Sequence, residues 1–357
     1  MSTFRSPVRV AIVGASGYSG EELVRLLLNH PHADLVAVTS RQNAGLSVAQ
    51  VFPKFASHPK SRALLFTEPN AEVLAAQADV VFLALPHGVA AEYAIPLLKA
   101  GAVVIDLSAD FRLKSAAVYR EFYAHEHPAP ELLAQSVYGL PEVYRAQIRG
   151  ARLIASPGCY PTSILLPTLP LLRAGIIRPT GIIADSMSGV SGAGRKAEVD
   201  YLFCECNESV RAYGVPKHRH LSEIEEQLSI AAGTAVTIQF TPHLIPVNRG
   251  IHTTLYLAPT ESFSTAAEAG ALNERIAACY ATAYGQEPFV RVLEGKALPD
   301  TKNVVGTNVV EIAWRLDPRT GRLLVLSAED NIVKGASGQA VQSLNVLAGF
   351  PETAGLV

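Results

Sequence analysis

The chain opens on a strand, a glycine-rich turn, a helix and a second strand, an order that few folds accommodate. Residues 8–13, Val-Arg-Val-Ala-Ile-Val, are rich in β-branched side chains and alternate little, as in a strand buried within a parallel sheet. Gly14-Ala15-Ser16-Gly17-Tyr18-Ser19-Gly20 follows. Residues 21–30 then carry Leu23, Leu26 and Leu27 at helical spacing until Pro31 stops the run. Residues 35–39 supply the second strand and close a βαβ unit of about 30 residues. Glycine permits the tight turn and lets the backbone approach a pyrophosphate, while the helix N-terminus offers positive partial charge. The plain alternative is an ordinary strand–helix turn. Further strand-like runs at 80–85 and 103–107, with a helix-like segment at 89–100 between them, predict a Rossmann-type doubly wound parallel sheet.

The end of the second strand bears on the cofactor. A site for NAD usually places Asp or Glu there to hold the ribose 2′-hydroxyl. This chain has Thr39-Ser40-Arg41, and a hydroxyl with a guanidinium suits a 2′-phosphate. NADP is the expected cofactor, unless Arg41 is a solvated surface residue.

Beyond residue 155 the texture changes. Short β-rich runs at 181–186, 236–241, 252–258 and 309–314 stand apart from helix-like segments at 221–232 and 265–283, which predicts an α+β domain with a mixed sheet. Residues 331–349 read as helical again, with Val341, Leu344 and Leu347 on one face. The stretches 41–62 and 113–137 read as loops. At 357 residues the chain has room for two cores. Its 30 basic and 32 acidic residues leave a net charge of −2, which gives no electrostatic reason to expect nucleic acid or an anionic membrane. No apolar stretch approaches the ~18 residues of a membrane helix. Four cysteines form no disulfide framework and suit a reducing compartment, so a cytoplasmic setting is expected.

One of those cysteines stands out. In Ile154-Ala155-Ser156-Pro157-Gly158-Cys159-Tyr160-Pro161-Thr162 a strand ends, Pro-Gly turns sharply, and Pro161 suits the first turn of a helix. Cys159 would then sit at the helix N-terminus, where the dipole and N–H groups stabilise a thiolate and an oxyanion. By itself a cysteine in this position is more often a small buried hydrophobe. A nucleophile wants a base, and His218-Arg219-His220 with Glu223 offers one, or else two exposed histidines before a helix capped by Ser222. Arg112, in Asp106-Leu-Ser-Ala-Asp-Phe-Arg112 after a strand, can hold phosphate bidentately. Ser188-Gly-Val-Ser-Gly-Ala-Gly-Arg195 adds hydroxyls and a guanidinium, or is a surface loop. Cys204-x-Cys206 with His218-x-His220 supplies four atoms for zinc, but one-residue gaps do not match the usual spacings; no metal is expected.

Taken in order, these stretches resemble a known family. The loop 14–20, Ala84-Leu-Pro-His-Gly88, Asp106–Arg112 and Tyr138-Gly-Leu-Pro-Glu142 belong with Pro157-Gly-Cys-Tyr-Pro-Thr162. So do 188–195, His218-Arg-His220 and Asp330-Asn-Ile-Val-Lys-Gly335. Together they look like the N-acetyl-gamma-glutamyl-phosphate reductases of the aspartate-semialdehyde dehydrogenase superfamily. The resemblance implies an NADP-dependent oxidoreductase of arginine biosynthesis that reduces a small acyl phosphate to a semialdehyde through a Cys159 thioester. It implies a base from the His218–His220 cluster, with His220 the first choice and Glu223 assisting, and substrate contacts from Arg112, Ser188 and Arg195. The cofactor contacts it implies are Gly14, Ser16, Gly17, Tyr18, Ser19, Gly20, Ser40, Arg41, Pro86, His87, Gly88, Asn331 and Gly335. The related dehydrogenases carry their catalytic histidine after an arginine in a later strand; here His243 to Ile251 holds none at that point. Residues 1–156 plus 331–357 are expected to form the NADP-binding domain, and 157–330 a catalytic and dimerisation domain of a homodimer or homotetramer. Aspartyl phosphate or an N-blocked aminoadipyl phosphate remains open as substrate, as does an NADP sensor without catalysis.

Overall fold

A computed structural model of the protein describes residues 7–357, so the first six residues of the expected N-terminal domain lie outside the described residues. The chain divides into two units, Met1–Gly158 with Ala336–Val357, and Cys159–Gly335.

The first unit holds seven strands: β1 (Val8–Val13), β2 (Ala33–Thr39), β3 (Phe66–Thr67), β4 (Val80–Leu83), β5 (Val103–Asp106), β6 (Val137–Tyr138) and β7 (Leu153–Ala155). Their order is β3-β2-β1-β4-β5-β7-β6, and every pairing is parallel. The order reverses at β1 and β4, which places the ligand crevice of such a sheet outside their carboxyl ends. The helices Ala71–Gln77 and Ala90–Lys99 bury Leu74, Tyr93, Ala94 and Leu97 against Ala11, Val13, Val81, Leu83 and Val104. The helix Gly338–Ala348 returns to this unit and packs on the helices Tyr18–Leu28 and Pro141–Ile148 and on β5. Its buried polar residues are tied down. Asn345 Oδ1 accepts from His30 Nε2 at 2.8 Å, and Gln342 Nε2 donates to Glu142 at 3.0 Å.

The second unit is a mixed sheet of β8 (Ile182–Gly189), β9 (Arg211–Ala212), β10 (Ile238–Ile245), β11 (Ile251–Leu257), β12 (Val290–Val292), β13 (Val310–Asp317) and β14 (Arg322–Glu329). Its order is β12-β13-β14-β11-β8-β10-β9. The helix Cys159–Arg173 packs on β11 and β14 and against the helices His220–Ala232 and Ala266–Tyr284. This helix carries Pro167 and Pro170 in its interior. Each lacks an N–H and so leaves the carbonyl four residues earlier without its helical donor. Ser327 Oγ donates to Ser163 O at 2.7 Å and the Tyr284 hydroxyl donates to Leu166 O, which meets both needs. Each such bond contributes about 1 kcal/mol.

Two expectations need correction. The stretch 41–62 contains the helix Val48–Val51, closed by a Ser47–Gln50 capping box, and two short 3-10 turns. The stretch 113–137 contains the helices Ala116–Tyr123 and Pro130–Leu133. These segments are short, and Tyr119 and Tyr123 bury against Ala109 and Leu113 rather than along a stripe legible as periodicity. The second unit extends through Gly335. Asp330 accepts from Ile332, Val333 and Gly306 N–H and pairs with Arg249 at 3.6 Å, which keeps 330–335 in the second unit.

Candidate active site

In the first unit the glycines of the 14–20 turn do distinct work. Gly14 has φ +82°, and a Cβ on it would stand 2.4 Å from Ala84 O, so both torsion and crowding demand glycine. A Cβ on Gly20 would meet Gly14 O at 2.4 Å and Ala15 Cα at 2.6 Å, which lets the helix seat against its own entry loop. Among the described residues, its chain neighbours aside, such a Cβ on Gly17 would meet within 4 Å only Gly14 O, at 3.8 Å. Gly17 is also the N-cap of the helix Tyr18–Leu28, and its cap makes no side-chain hydrogen bond. Open space in front of a helix N-terminus fits a dinucleotide pyrophosphate. The turn is braced from behind. Gly14 N–H donates to Thr39 Oγ1 at 3.4 Å, the Ser16 and Ser40 hydroxyls lie 3.0 Å apart, and Ser337 Oγ donates to Ser19 O at 2.8 Å. Tyr18 is exposed. Ser40 also accepts from Asn43 Nδ2 at 3.2 Å, a neighbour the sequence reading missed. Arg41 is exposed at the end of β2, with Nη2 donating to the Tyr93 hydroxyl at 3.2 Å.

Pro86, His87 and Gly88 form the turn that leaves β4. Arg112 lies in the loop after β5 and is buried. Its Nε donates to Ser156 O at 2.7 Å and its Nη2 to Leu107 O at 2.9 Å, so part of the fork braces the backbone before Pro157. Asp106 is fully buried beneath it, and burial together with nearby Asp110 pushes its carboxyl up to about 7.

In the second unit Cys159 is the first residue of the helix Cys159–Arg173. Pro161 is the third, where the first-turn N–H groups have no helical acceptor and proline costs nothing. Gly335 is packed against the cysteine. A Cβ there would lie 2.7 Å from Cys159 Cβ and 3.0 Å from Oε1 of the fully buried Glu329. The residue after the cysteine, Tyr160, sits in a cluster of rings. Tyr160 meets His218, His220 and Phe240 edge-on, with centroids 5.7, 6.0 and 5.3 Å away. The two histidine rings are 5.0 Å apart. The Tyr213 hydroxyl donates to the Tyr160 hydroxyl at 2.9 Å, and burial pushes both phenols upward.

The histidines differ. His220 N–H donates to His218 Nδ1 at 3.1 Å, so the neutral His218 ring carries its proton on Nε2. Burial, with Arg219 adjacent, pushes His218 down to about 4, so the ring is neutral in ordinary buffers. Both rings are half-buried, which departs from the exposed alternative. The helix His220–Ala232 begins at His220 itself, and Ser222 is not its cap: Ser222 Oγ donates to Arg219 O at 2.9 Å. Glu223 is buried in its first turn.

Ser188 is buried at the end of β8, and its Oγ donates to Gly189 O at 3.1 Å. Arg195 is exposed beyond the 3-10 turn Val190–Ala193. Asn331 Oδ1 accepts Gly250 N–H at 2.7 Å and its Nδ2 donates to Ser191 Oγ at 3.0 Å. Tyr160, Tyr213 and Glu329 were missed by the sequence reading; only the nearness of Tyr160 to Cys159 in the chain pointed to any of them. Among the described residues no group of three or more His, Cys, Asp or Glu is arranged to hold a metal, and Cys206 Sγ donates to Asp200 O at 3.0 Å. No helix of the described residues is long and apolar enough to cross a membrane.

Comparison with known proteins adds a second line. Residues 9–151 match the family model described as semialdehyde dehydrogenase, NAD binding domain, and residues 159–331 match semialdehyde dehydrogenase, dimerisation domain. The chain is similar to the N-acetyl-gamma-glutamyl-phosphate reductase of Akkermansia muciniphila, 57% identical over 350 residues, and to that of Desulfotalea psychrophila, 52% identical over 351. Each alignment covers 98% of both chains. Among solved structures it resembles aspartate semialdehyde dehydrogenase II of Vibrio cholerae, with TM-score 0.70 at 18% identity, covering 96% of this chain and 98% of that one. It also resembles the aspartate semialdehyde dehydrogenase with NADP of Candida albicans, TM-score 0.70 at 16% identity, covering 95% and 98%. At such identities these likenesses bear on the fold.

Proposed function

Because the chain belongs to the N-acetyl-gamma-glutamyl-phosphate reductases, within the semialdehyde dehydrogenases, we propose that it reduces N-acetyl-gamma-glutamyl phosphate to N-acetylglutamate 5-semialdehyde with NADPH, releasing phosphate, in arginine biosynthesis. The observation that carries the chemistry is that Cys159 is the first residue of a helix, packed against Gly335, and that the next residue, Tyr160, meets the rings of His218 and His220.

The Cys159 thiolate, favoured by the helix N-terminus, adds to the γ-carbonyl. Helix-start N–H groups and His218 Nε2–H hold the oxyanion, which collapses and expels phosphate to leave a thioester. Reduced nicotinamide, when bound, supplies the hydride that the thioester carbon accepts. The thiohemiacetal then breaks its C–S bond, and the semialdehyde departs as a proton returns to Sγ. His218 Nδ1 is occupied by His220 N–H, which favours His220 as the group that takes and returns that proton, with Glu223 beneath it. Ser188, Arg112 and Arg195 are the substrate contacts in this reading. The turn 14–20, Ser40, Arg41, Pro86, His87, Gly88, Asn331 and Gly335 serve NADPH. The open cradle at Gly17 and the absence of a carboxylate after β2 support a phosphorylated dinucleotide there.

The test is a comparison of reduction rates on N-acetyl-gamma-glutamyl, aspartyl and N-acetyl-aminoadipyl phosphates, with NADPH and with NADH. We expect the first substrate and NADPH to be preferred at least about tenfold in kcat/KM, the scale of one methylene in a fitted pocket. A preference for either other phosphate sinks the substrate, and a preference for NADH sinks the cofactor.

The roles of the histidines separate by pH. We expect His220→Asn to remove the acid limb of kcat/KM and about 100-fold of activity, in keeping with loss of a general base. His218→Asn should cost about 100-fold in kcat through a lost oxyanion donor and leave that limb in place, since burial keeps the ring neutral down to about 4. The depressed value also sets a stability trend. The contribution of neutral His218 is fully present above the unfolded value of 6.5 and is lost as pH falls through about 4, so His218→Asn should flatten the fall in melting temperature over that window. The reverse pattern in the two pH–rate profiles exchanges the roles.

The chain pairs with a second copy in this reading. Ile183, Met187, Ile245 and Tyr256 lie at least partly exposed on one face of the mixed sheet, interleaved with Asp185, Thr241, His243 and Thr254, and an uncovered face of this mixed kind favours sheet-to-sheet association into a dimer or tetramer. A monomer in sedimentation at micromolar concentration would end that part. Four cysteines outside any disulfide and an NADPH-linked biosynthetic step favour the cytoplasm, which localisation of a tagged chain would check.

A further inference from the structure

The turn that leaves β4 contains Gly88 at φ +83°, a region in which glycine has many neighbouring conformations at similar cost. A turn of that kind holds one shape only if something fastens it. Here the fastener comes from the loop after β5. Gly88 N–H donates to Asp110 Oδ1 at 2.7 Å and Ala90 N–H donates to Oδ2 at 3.1 Å, so both carboxylate oxygens are spent on this turn and on the start of the helix Ala90–Lys99. Ala109 N–H donates to His87 Nδ1 at 3.1 Å, which fixes the ring plane and leaves the proton of neutral His87 on Nε2. Asp110 itself is fully buried and held from three sides. The Tyr119 hydroxyl, also fully buried, donates to Oδ1 at 2.9 Å. Asp110 N–H donates to Ser108 Oγ at 3.1 Å, and His127 Nε2 donates to the Asp110 carbonyl while its Nδ1 accepts Ala129 N–H.

A buried carboxylate with three hydrogen bonds is a costly thing to place for packing alone. What it fixes lies at the switch point. β4 is the strand next to β1, and Ala84 O stands where a Cβ on Gly14 would collide, so the turn 86–88 follows directly on the wall of the pyrophosphate loop.

We propose that Asp110, backed by Tyr119, is a positioning residue that sets the affinity for NADPH by locking the Pro86-His87-Gly88 turn. The inference rests on reading that turn as a cofactor contact.

The test is an equilibrium titration of NADPH, followed by its own fluorescence, on the full chain and on Asp110→Asn, Tyr119→Phe and Gly88→Ala, with a melting curve for each cofactor-free protein. In Asp110→Asn one amide N–H faces a backbone N–H in place of an acceptor, and we expect NADPH to bind about tenfold or more weaker, the scale of a hydrogen bond to a charged group. Tyr119→Phe keeps the ring packing and removes one bond, so a change of about threefold in the same direction is expected. The KM for the acyl phosphate should stay within about twofold in both, because uniform binding of the other substrate is untouched. A lowered melting temperature with unchanged NADPH affinity overturns the inference, since a structural role alone would do that. So does an effect confined to the acyl phosphate. If Gly88→Ala binds NADPH as the parent does, the reading of the turn as a cofactor contact is itself wrong. If Gly88→Ala weakens binding while Tyr119→Phe and Asp110→Asn do not, the turn is a contact and the clamp is not what sets it. Should Asp110→Asn fail to fold, Tyr119→Phe decides.

Discussion

Replacing Cys159 with serine should reduce phosphate-dependent reduction of NADP by N-acetylglutamate semialdehyde about 1,000-fold or more while NADPH binding and the melting temperature stay near those of the parent. The physics is a matter of nucleophile and leaving group. A hydroxyl at the same position has a pKa far above that of a thiol, so the helix N-terminus that stabilises a thiolate cannot hold a useful fraction of alkoxide. An oxygen ester would also accept hydride less readily than a thioester and release the aldehyde more slowly. The structural cost is small, because serine is the smaller group at a half-buried first helical position that requires no apolar contact. Retention of most of the rate by Cys159→Ser would remove the covalent mechanism. Loss of NADPH binding in the same variant would show that the substitution had disturbed more than the nucleophile, and Cys159→Ala would then separate the two effects.

The second large effect is expected at a residue with no functional group. Gly335→Ala puts a Cβ 2.7 Å from Cys159 Cβ, 3.1 Å from Cys159 Cα and 3.0 Å from Glu329 Oε1. None of these atoms can retreat cheaply. Cys159 opens a helix in which Tyr160 to Leu172 are all buried, and Glu329 ends β14, where it is paired with Ile251 and Val310 on either side. The accommodation must therefore move the nucleophile, by a distance on the order of 1 Å, and displacement of that size costs about 100-fold in rate. We expect kcat to fall by that factor with a lesser change in the KM of either substrate, and thiol alkylation by iodoacetamide to slow as the cysteine is crowded. A variant with full kcat would mean that the helix start yields without consequence, and that Cys159 is not held against Gly335 when the enzyme works.

The elements that were legible beforehand share one property: their signal lies within a dozen residues. The strand at 8–13, the spacing of Gly14, Gly17 and Gly20 and the leucines after them report a βαβ unit because turn geometry and helical periodicity are local constraints. Pro157-Gly158 before Cys159 and Pro161 after it report a helix start for the same reason. The short helices at 116–123 and 130–133 escaped notice because four to eight residues give too little periodicity to read, and what orders them is the burial of Tyr119 and Tyr123 against residues of a neighbouring loop.

By itself, then, the sequence determined the nucleotide-binding sheet and the helix that starts at Cys159. The tertiary structure decided how Cys159 is held and which ring nitrogen of His218 carries the proton. Tyr284 and Ser327 reach back more than a hundred residues to carbonyls that proline leaves unmet in the Cys159 helix, Gly335 meets Cys159 across a still longer span, and Asp110 grips a turn twenty-two residues before it. The tautomer of His218 hangs on one backbone N–H whose direction is set only once the helix at His220 begins. Such contacts exist when the chain has closed on itself, because their geometry depends on the packing of whole elements and no local pattern encodes it.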